Sequence, residues 1–400
     1  MSTHHVSLRV SPTPSLKPEG QDTPTSRLTE STPHCVVGGP RIADPLDVAV
    51  HPNPSSCFGP RGAAFMQDGT LVVADTGHHR LLGWREPPTD RQDADWIIGQ
   101  PDFQSEGRNA KSEVCATSLN VPTGLCAAGA GLAVADAWNH RVLLWDNVPI
   151  RNNQAPDRVL GQPDFTNATA NDDDPSRASA RTFHWPYGVC VHNQSLFVAD
   201  AENRRVLIWH NLMVENGAPA DLVLGQPNFT ARDENAGNSP TAHSMRWPHD
   251  LTVWHGHLCV TDAGNNRIMV WDGVPEDNFA PCRWVLGQSN FATVEHNQAL
   301  YWPRNNTLNM PYGLTAWGDW LLCSDTANSR VLAWHIDDLD TGAPARCLLG
   351  QPTFADKGDN RWLPAAEDSF CWPYGIASNA SQLLIADSGN NRISVWNFLS

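Results

Sequence analysis

No Gly-rich phosphate loop, GxSxG elbow or HExxH motif occurs in the 400-residue chain, which removes the commonest signatures of nucleotide binding, serine hydrolysis and zinc proteolysis. Basic residues are few. The 27 Lys and Arg stand against 43 Asp and Glu, for a net charge of −16. A field of that sign repels phosphate backbones, and no Lys/Arg cluster interleaved with aromatics interrupts it, so nucleic acid is not an expected partner. No segment approaches the roughly 18 apolar residues of a membrane span, and residues 1–34 hold no apolar stretch of the kind a secretory signal needs. No membrane partner and a cytoplasmic location are the expectation. CxxC is absent too. Of the ten Cys, Cys126, Cys190, Cys259 and Cys323 occupy positions filled elsewhere by Ala, Thr, Val or Leu. That predicts free thiols acting as small hydrophobes in a reducing compartment, not a disulfide framework or zinc knuckle.

What the chain does contain is a repeat. Six phrases place an Arg five residues after an Asp: VVADTGHHRLLGW, AVADAWNHRVLLW, FVADAENRRVLIW, CVTDAGNNRIMVW, LCSDTANSRVLAW and LIADSGNNRISVW, with the Asp 61 to 64 residues apart. Each phrase reads as a β-hairpin, because β-branched and aromatic runs flank a four-residue loop. The pairs Asp75/Arg80, Asp136/Arg141, Asp200/Arg205, Asp262/Arg267, Asp325/Arg330 and Asp387/Arg392 then face each other across the strands. There a carboxylate can accept from a guanidinium and from loop amides, as a turn lock rather than a catalytic pair.

Two further segments complete the unit. A PxG-type phrase opens a short inner strand, followed by the small residues Ala64, Cys126, Cys190, Thr252, Thr315 and Ala377, which suit strands crowding one axis. An LGQPDF-type phrase follows the hairpin in five copies, and the sixth is recovered near the start as CVVGGP, residues 35–40, which aligns with CLLGQP, residues 347–352. The pattern predicts an all-β six-bladed propeller of four-stranded antiparallel blades over residues 35–400, with an N-terminal strand completing the last blade. Residues 1–34, rich in Ser, Thr and Pro, are expected as a disordered tail. The hairpin text with its preceding PxG resembles the NHL repeat, in the bacterial variety that carries LGQPDF in each blade. Asn390-Asn391-Arg392 and Asn265-Asn266-Arg267 match it best, and His78-His79-Arg80 departs furthest.

Function is expected on the face where the hairpin loops and the long loops after LGQPDF emerge. Those long loops are rich in Asn, Ala, Asp, Ser and Thr. They read either as a collar held by its own backbone bonds or as a docking face. The position between Pro and Gly varies most among copies: Arg61, Thr123, Tyr187, His249, Tyr312 and Tyr374, with Asp250 replacing the fourth Gly. Side chains pointing into the channel mouth would form a ring able to orient a small polar ligand. Alternatively, the Tyr hydroxyls bond loop backbone under the collar. Asp250 could orient His249, bind a cation, or act as a local cap. His78, His79 and His140 could be brought together on zinc or copper, or stand as solvated turn histidines. His184 and His243, with His249, lie just before or within the inner-strand entries of blades three and four. The NHL-propeller lyases that cleave peptidyl-hydroxyglycine resemble this architecture and use metal-bound His with Tyr and Arg in the channel. A matched set of three channel His is missing here, and the calcium cage of lactonase-like propellers has only Asp250 to stand for it. The reading is a monomeric, non-catalytic binding propeller, a scaffold or accessory factor, for another protein or a small polar ligand, with no cofactor predicted. The alternative is a metal-dependent lyase or hydrolase at the channel mouth, using zinc or calcium.

Overall fold

The computed structural model of the chain describes residues 17, 23–24, 26–40, 51–174 and 176–399. Six four-stranded antiparallel sheets surround one axis. The inner strands are Gly62–Phe65, Pro122–Ala128, Pro186–His192, Pro248–Trp254, Pro311–Trp317 and Pro373–Ser378, and each touches both of its neighbours around the ring. Their small residues Ala64, Cys126, Cys190, Thr252, Thr315 and Ala377 line the central channel, as the crowding argument requires.

The Asp-to-Arg hairpins lie in the expected register, with Asp200 opposite Arg205 and Asp262 opposite Arg267. Between them runs a single 3-10 turn that ends in a left-handed residue: His79, His140, Arg204, Asn266, Ser329 or Asn391, all with φ of 52 to 57°. Asn and His are among the side chains that tolerate this conformation best, which accounts for their frequency at that position.

Ring closure comes from the strand Cys35–Val37, which pairs antiparallel with Arg392–Asn397, Cys35 opposite Val395 and Val37 opposite Ile393. This removes the open edge that the last blade would otherwise present. The contact continues upstream. Thr29 bridges Phe398, Glu30 N–H donates to Asn397 C=O, and Leu28 and Thr29 are buried. Residues 26–34, expected within a disordered tail, therefore extend the closing strand, because Leu28 fills the seam between blades five and six. The rest of that expectation falls outside the described residues, apart from Lys17, which pairs with Asp356, and residues 23–24.

Six apolar clusters form the core, each drawing on two adjacent blades. Trp84, Trp145, Trp209, Trp271, Trp334 and Trp396 are all within 2% of full burial. In five of them the indole N–H donates to a carbonyl nine or fewer residues downstream, such as Trp334 to Ala343 at 3.0 Å. A large apolar body with its polar atom satisfied suits such a seam. All ten Cys are free.

Candidate functional site

The hairpin loops share load between blades. In each, the Asp Oδ2 accepts from Arg Nε at 2.6 to 3.0 Å, both side chains being fully buried. Its Oδ1 accepts a backbone N–H from the loop that leads into the same blade, as from Phe58, Asn120 or His184 at 2.7 Å. The guanidinium then reaches further than a turn lock needs to. Arg141 donates through Nη1 to Phe165 C=O and through Nη2 to Cys115 and Ser118 C=O, clamping two successive long loops. The Phe carbonyl of LGQPDF is thus an acceptor. The Gln of the same phrase is a donor, Gln100 Nε2 reaching His78, His79 and Gly107 C=O.

The long loops are consequently not held by their own backbone alone. One Asn of each of five loops forms a reciprocal amide pair with the hairpin Asn of the next blade: Asn109 with Asn139, Asn171 with Asn203, Asn235 with Asn265, Asn297 with Asn328, and Asn360 with Asn390. In blade one His78 takes the hairpin position, its Nδ1 2.8 Å from Asp75 Oδ2. His79 and His140 do something different again. Their Nδ1 atoms accept the N–H groups of Val121 and Trp185 across the blade seam at 3.1 and 3.2 Å, the same duty that Asn391 and Asn266 perform for Gly59 and Met310. The recipients are themselves left-handed, Val121 at φ 57° and Trp185 at φ 55°, a cost of about 1 kcal/mol or more that the staple offsets.

The imidazoles are therefore engaged separately, not brought together on one ion. Among the described residues no group of three or more His, Cys, Asp or Glu is disposed to hold a metal. His140 meets His184 edge to face at 5.3 Å, and burial with that neighbour pushes its pKa down to about 4, so it stays neutral. His243 sits on the collar, Nδ1 2.7 Å from Phe279 C=O.

The ring predicted at the PxG position does assemble. A cavity of about 240 Å³ in the channel is lined by Arg61, Thr123, Tyr187, His249, Asp250, Tyr312 and Tyr374. Five of these form a stacked arc. The Arg61 guanidinium lies 4.9 Å over Tyr374, Tyr374 is 4.6 Å from Tyr312, Tyr312 stacks on His249 at 4.0 Å and 26°, and His249 is 4.4 Å from Tyr187. Thr123, the sixth ring position, donates to Tyr187 C=O at 2.9 Å. Among the described residues no Tyr hydroxyl of the ring bonds loop backbone. Tyr312 instead bonds Tyr374, and burial raises the pKa of both phenols. Burial, helped by the Arg61 charge, pushes His249 down to about 3.

The Gly that follows each ring residue has a steric reason. A Cβ on Gly124 would stand 2.5 Å from Tyr187 C=O, and one on Gly375 2.4 Å from Arg61 C=O, so each inner strand touches the next through that missing side chain. In blade four Asp250 occupies the seam itself. Its Oδ2 accepts from Leu314 N–H and its Oδ1 from Leu251 N–H, both at 2.9 Å, so it acts as an interblade cap and not as an orienter of His249. Burial nonetheless pushes its carboxyl up to about 7.

The rim above the ring was not anticipated from the sequence. Trp372 is 41% exposed and Trp138 42% exposed, and Trp138 stacks on Trp185 at 6.2 Å. The signal was legible, since Trp precedes the Pro of the PxG position in three of six copies.

The model of the NHL repeat matches residues 59–84 and 245–271, which are the inner strand and hairpin of blades one and four. The chain is a six-bladed β-propeller that carries NHL repeats. The comparison with curated proteins gives no match. Among solved structures, the NHL propeller is similar to a structural-genomics protein of unknown function from Bacteroides thetaiotaomicron, at 13% identity and TM-score 0.51 over 92% of this chain and 75% of that one. A chain of the mitotic checkpoint complex is 11% identical over 99% of this chain and 100% of its own, at TM-score 0.48. Virginiamycin B lyase from Staphylococcus aureus is 12% identical over 86% and 96%, at TM-score 0.43. The likeness to the first shows a common fold alone. A rigid NHL propeller supports a binding or scaffold role in general.

Proposed function

We propose that the protein is a non-catalytic binding propeller, a scaffold or accessory factor, whose channel mouth takes a small polar ligand and whose surrounding long loops serve as the docking face. The stacked arc from Arg61 to Tyr187 carries this reading. It lines a cavity with aromatic side chains and hydroxyls, while His249 stays neutral to far below physiological pH and the Tyr312 and Tyr374 phenols stay protonated above it. Asp250 alone would titrate near neutrality, and both its oxygens are engaged by backbone amides. Such a ring is suited to recognition and poorly suited to moving protons. The reading needs no metal or cofactor. The ten free thiols and net charge of −16 agree with a reducing, cytoplasmic setting and a partner other than nucleic acid.

Elemental analysis of untagged protein together with a thermal-shift screen of polar small molecules tests it. The expected result is ligand-induced stabilisation that is lost in Tyr312→Ala, in protein without stoichiometric metal. Stoichiometric zinc, copper or calcium that departs in His249→Ala would overturn the reading in favour of a metal-dependent lyase or hydrolase.

A further inference from the structure

Among the residues that line the channel cavity, Arg61 is the single Lys or Arg. Six other arginines of this chain show what a guanidinium does here when it is structural. Each clamp arginine is fully buried, with a carboxylate on Nε. Its Nη atoms donate to loop carbonyls, as Arg330 does to Phe354, Arg304 and Thr307. Arg61 has neither. Among the described residues it makes no ion pair and no side-chain hydrogen bond, and its guanidinium rests on the face of Tyr374. Five donors of a partly exposed guanidinium thus meet no acceptor among the described residues, in a chain whose 43 acidic residues outnumber its basic ones.

The one acid at this level does not answer it. Asp250 turns both oxygens to the amides of Leu251 and Leu314 in the seam between blades four and five. The positive charge is felt across the ring at His249, in the opposite blade, where it joins burial in keeping the imidazole neutral. The mouth therefore holds one uncompensated positive charge, set in a wall of neutral aromatic faces.

We propose that this ring selects small organic monoanions, with Arg61 receiving a carboxylate and the side chains of Tyr374, Tyr312, His249 and Tyr187 surrounding the body attached to it. The proposal rests on the binding reading above and adds the ligand class. A carboxylate matches the two-pronged donor geometry of a guanidinium. A phosphate dianion would bring a second negative charge that no other cation in the cavity meets, within a protein that is already acidic. Size points the same way. The cavity of about 240 Å³ lies below the roughly 300 Å³ at which drug-sized pockets begin, so the occupant is small.

Titration calorimetry on the full chain tests this with matched pairs that differ only in charge, 4-hydroxybenzoate against 4-hydroxybenzamide and pyruvate against pyruvamide, with inorganic phosphate as a further probe. A carboxylate should bind at least tenfold more tightly than its amide. Arg61→Met should abolish that preference, and Arg61→Lys should restore part of it. An amide that binds as well as its acid, phosphate that binds more tightly than either carboxylate, or a carboxylate that binds Arg61→Met unchanged would overturn the anion selection while leaving a binding channel intact. The acid-to-amide ratio is read on the wild-type protein, so it decides the matter even where a variant folds poorly. No binding by either series, or binding indifferent to Tyr312→Ala, would overturn both the anion selection and the channel-mouth site.

Discussion

The clamp layer and the channel ring use the same side chain in opposite ways. Arg267 is fully buried, holds Asp262 at 3.0 Å and donates to Phe291, Thr241 and Ser244 C=O, so that one residue fastens a hairpin and two long loops. Arg61, in the PxG-type phrase of blade one, lies on Tyr374 with no acceptor among the described residues. The difference teaches where to look in a repeat protein. The arginine that recurs in all six blades is tied up in holding them together, whereas the arginine at a position that varies is left available for a ligand.

The most severe way to break the comparison is to undo the closure on which both layers depend. Removing residues 26–40 takes away the outer strand of blade six and the buried side chains of Leu28, Cys35, Val36 and Val37. At about 1.5–3 kcal/mol for each large apolar group, the loss should exceed ~5 kcal/mol and abolish a single cooperative transition. Removing residues 1–16 is the control. Equal midpoints in urea for the two deletions would show that the N-terminal strand does not close the ring.

Next in size is the clamp itself. Asp262→Ala strands a fully buried guanidinium, and stability should fall by about 3–5 kcal/mol. Urea denaturation measures it, and a loss under ~1 kcal/mol would mean that the pair is not the fastening described.

These clamps were readable from the chain because a hairpin brings residues five apart face to face, whatever the surroundings. The six blades, the strand at residue 35 and the ring position were readable for a similar reason, since each follows from period and turn chemistry. What stayed hidden depends on pairs distant in sequence. Asn109 and Asn139 are 30 residues apart in loops of unequal length, and nothing in either phrase names the other. His79 and His140 read either as metal ligands or as solvated turn histidines, and are neither, because their actual donors are backbone N–H groups, which have no letter in a sequence. For the same reason the sequence leaves Asp250 open between orienter of His249, cation ligand and local cap, its donors being the amides of Leu251 and Leu314. Whether Arg61 had a partner required burial and distance.

Asp250 gives a smaller, pH-dependent effect. Its carboxyl is pushed from an ordinary 3.8 up to about 7 in the fold, so between those values the folded state holds a proton that the unfolded chain has released. Stability must then fall as pH rises from about 4 to about 7 and level off above it. Every tenfold change in proton affinity between the two states is worth about 1.4 kcal/mol. Contact with channel solvent reduces the total, so a difference on the order of 1–2 kcal/mol across that window is expected. Asp250→Asn has no proton to lose and should flatten this part of the profile. Parallel profiles for the two proteins would show that the carboxyl ionises normally in the seam.

The smallest effect sharpens the comparison most. Arg61→Met keeps a flexible chain of similar length over Tyr374 and removes a charge that satisfies no protein acceptor among the described residues, so no buried carboxylate or carbonyl is orphaned by it. Its stability in urea should lie within about 0.5 kcal/mol of wild type, in the range of surface substitutions. Loss of the charge also removes one of the two causes that hold His249 neutral, so the imidazole pKa, followed by NMR, should move up from about 3. Arg267→Met at the clamp should cost several kcal/mol by contrast, since it leaves Asp262 buried without its cation. Equal losses for the two arginine variants would mean that Arg61 is as structural as the clamps, and the channel would then have no free cation with which to hold an anion.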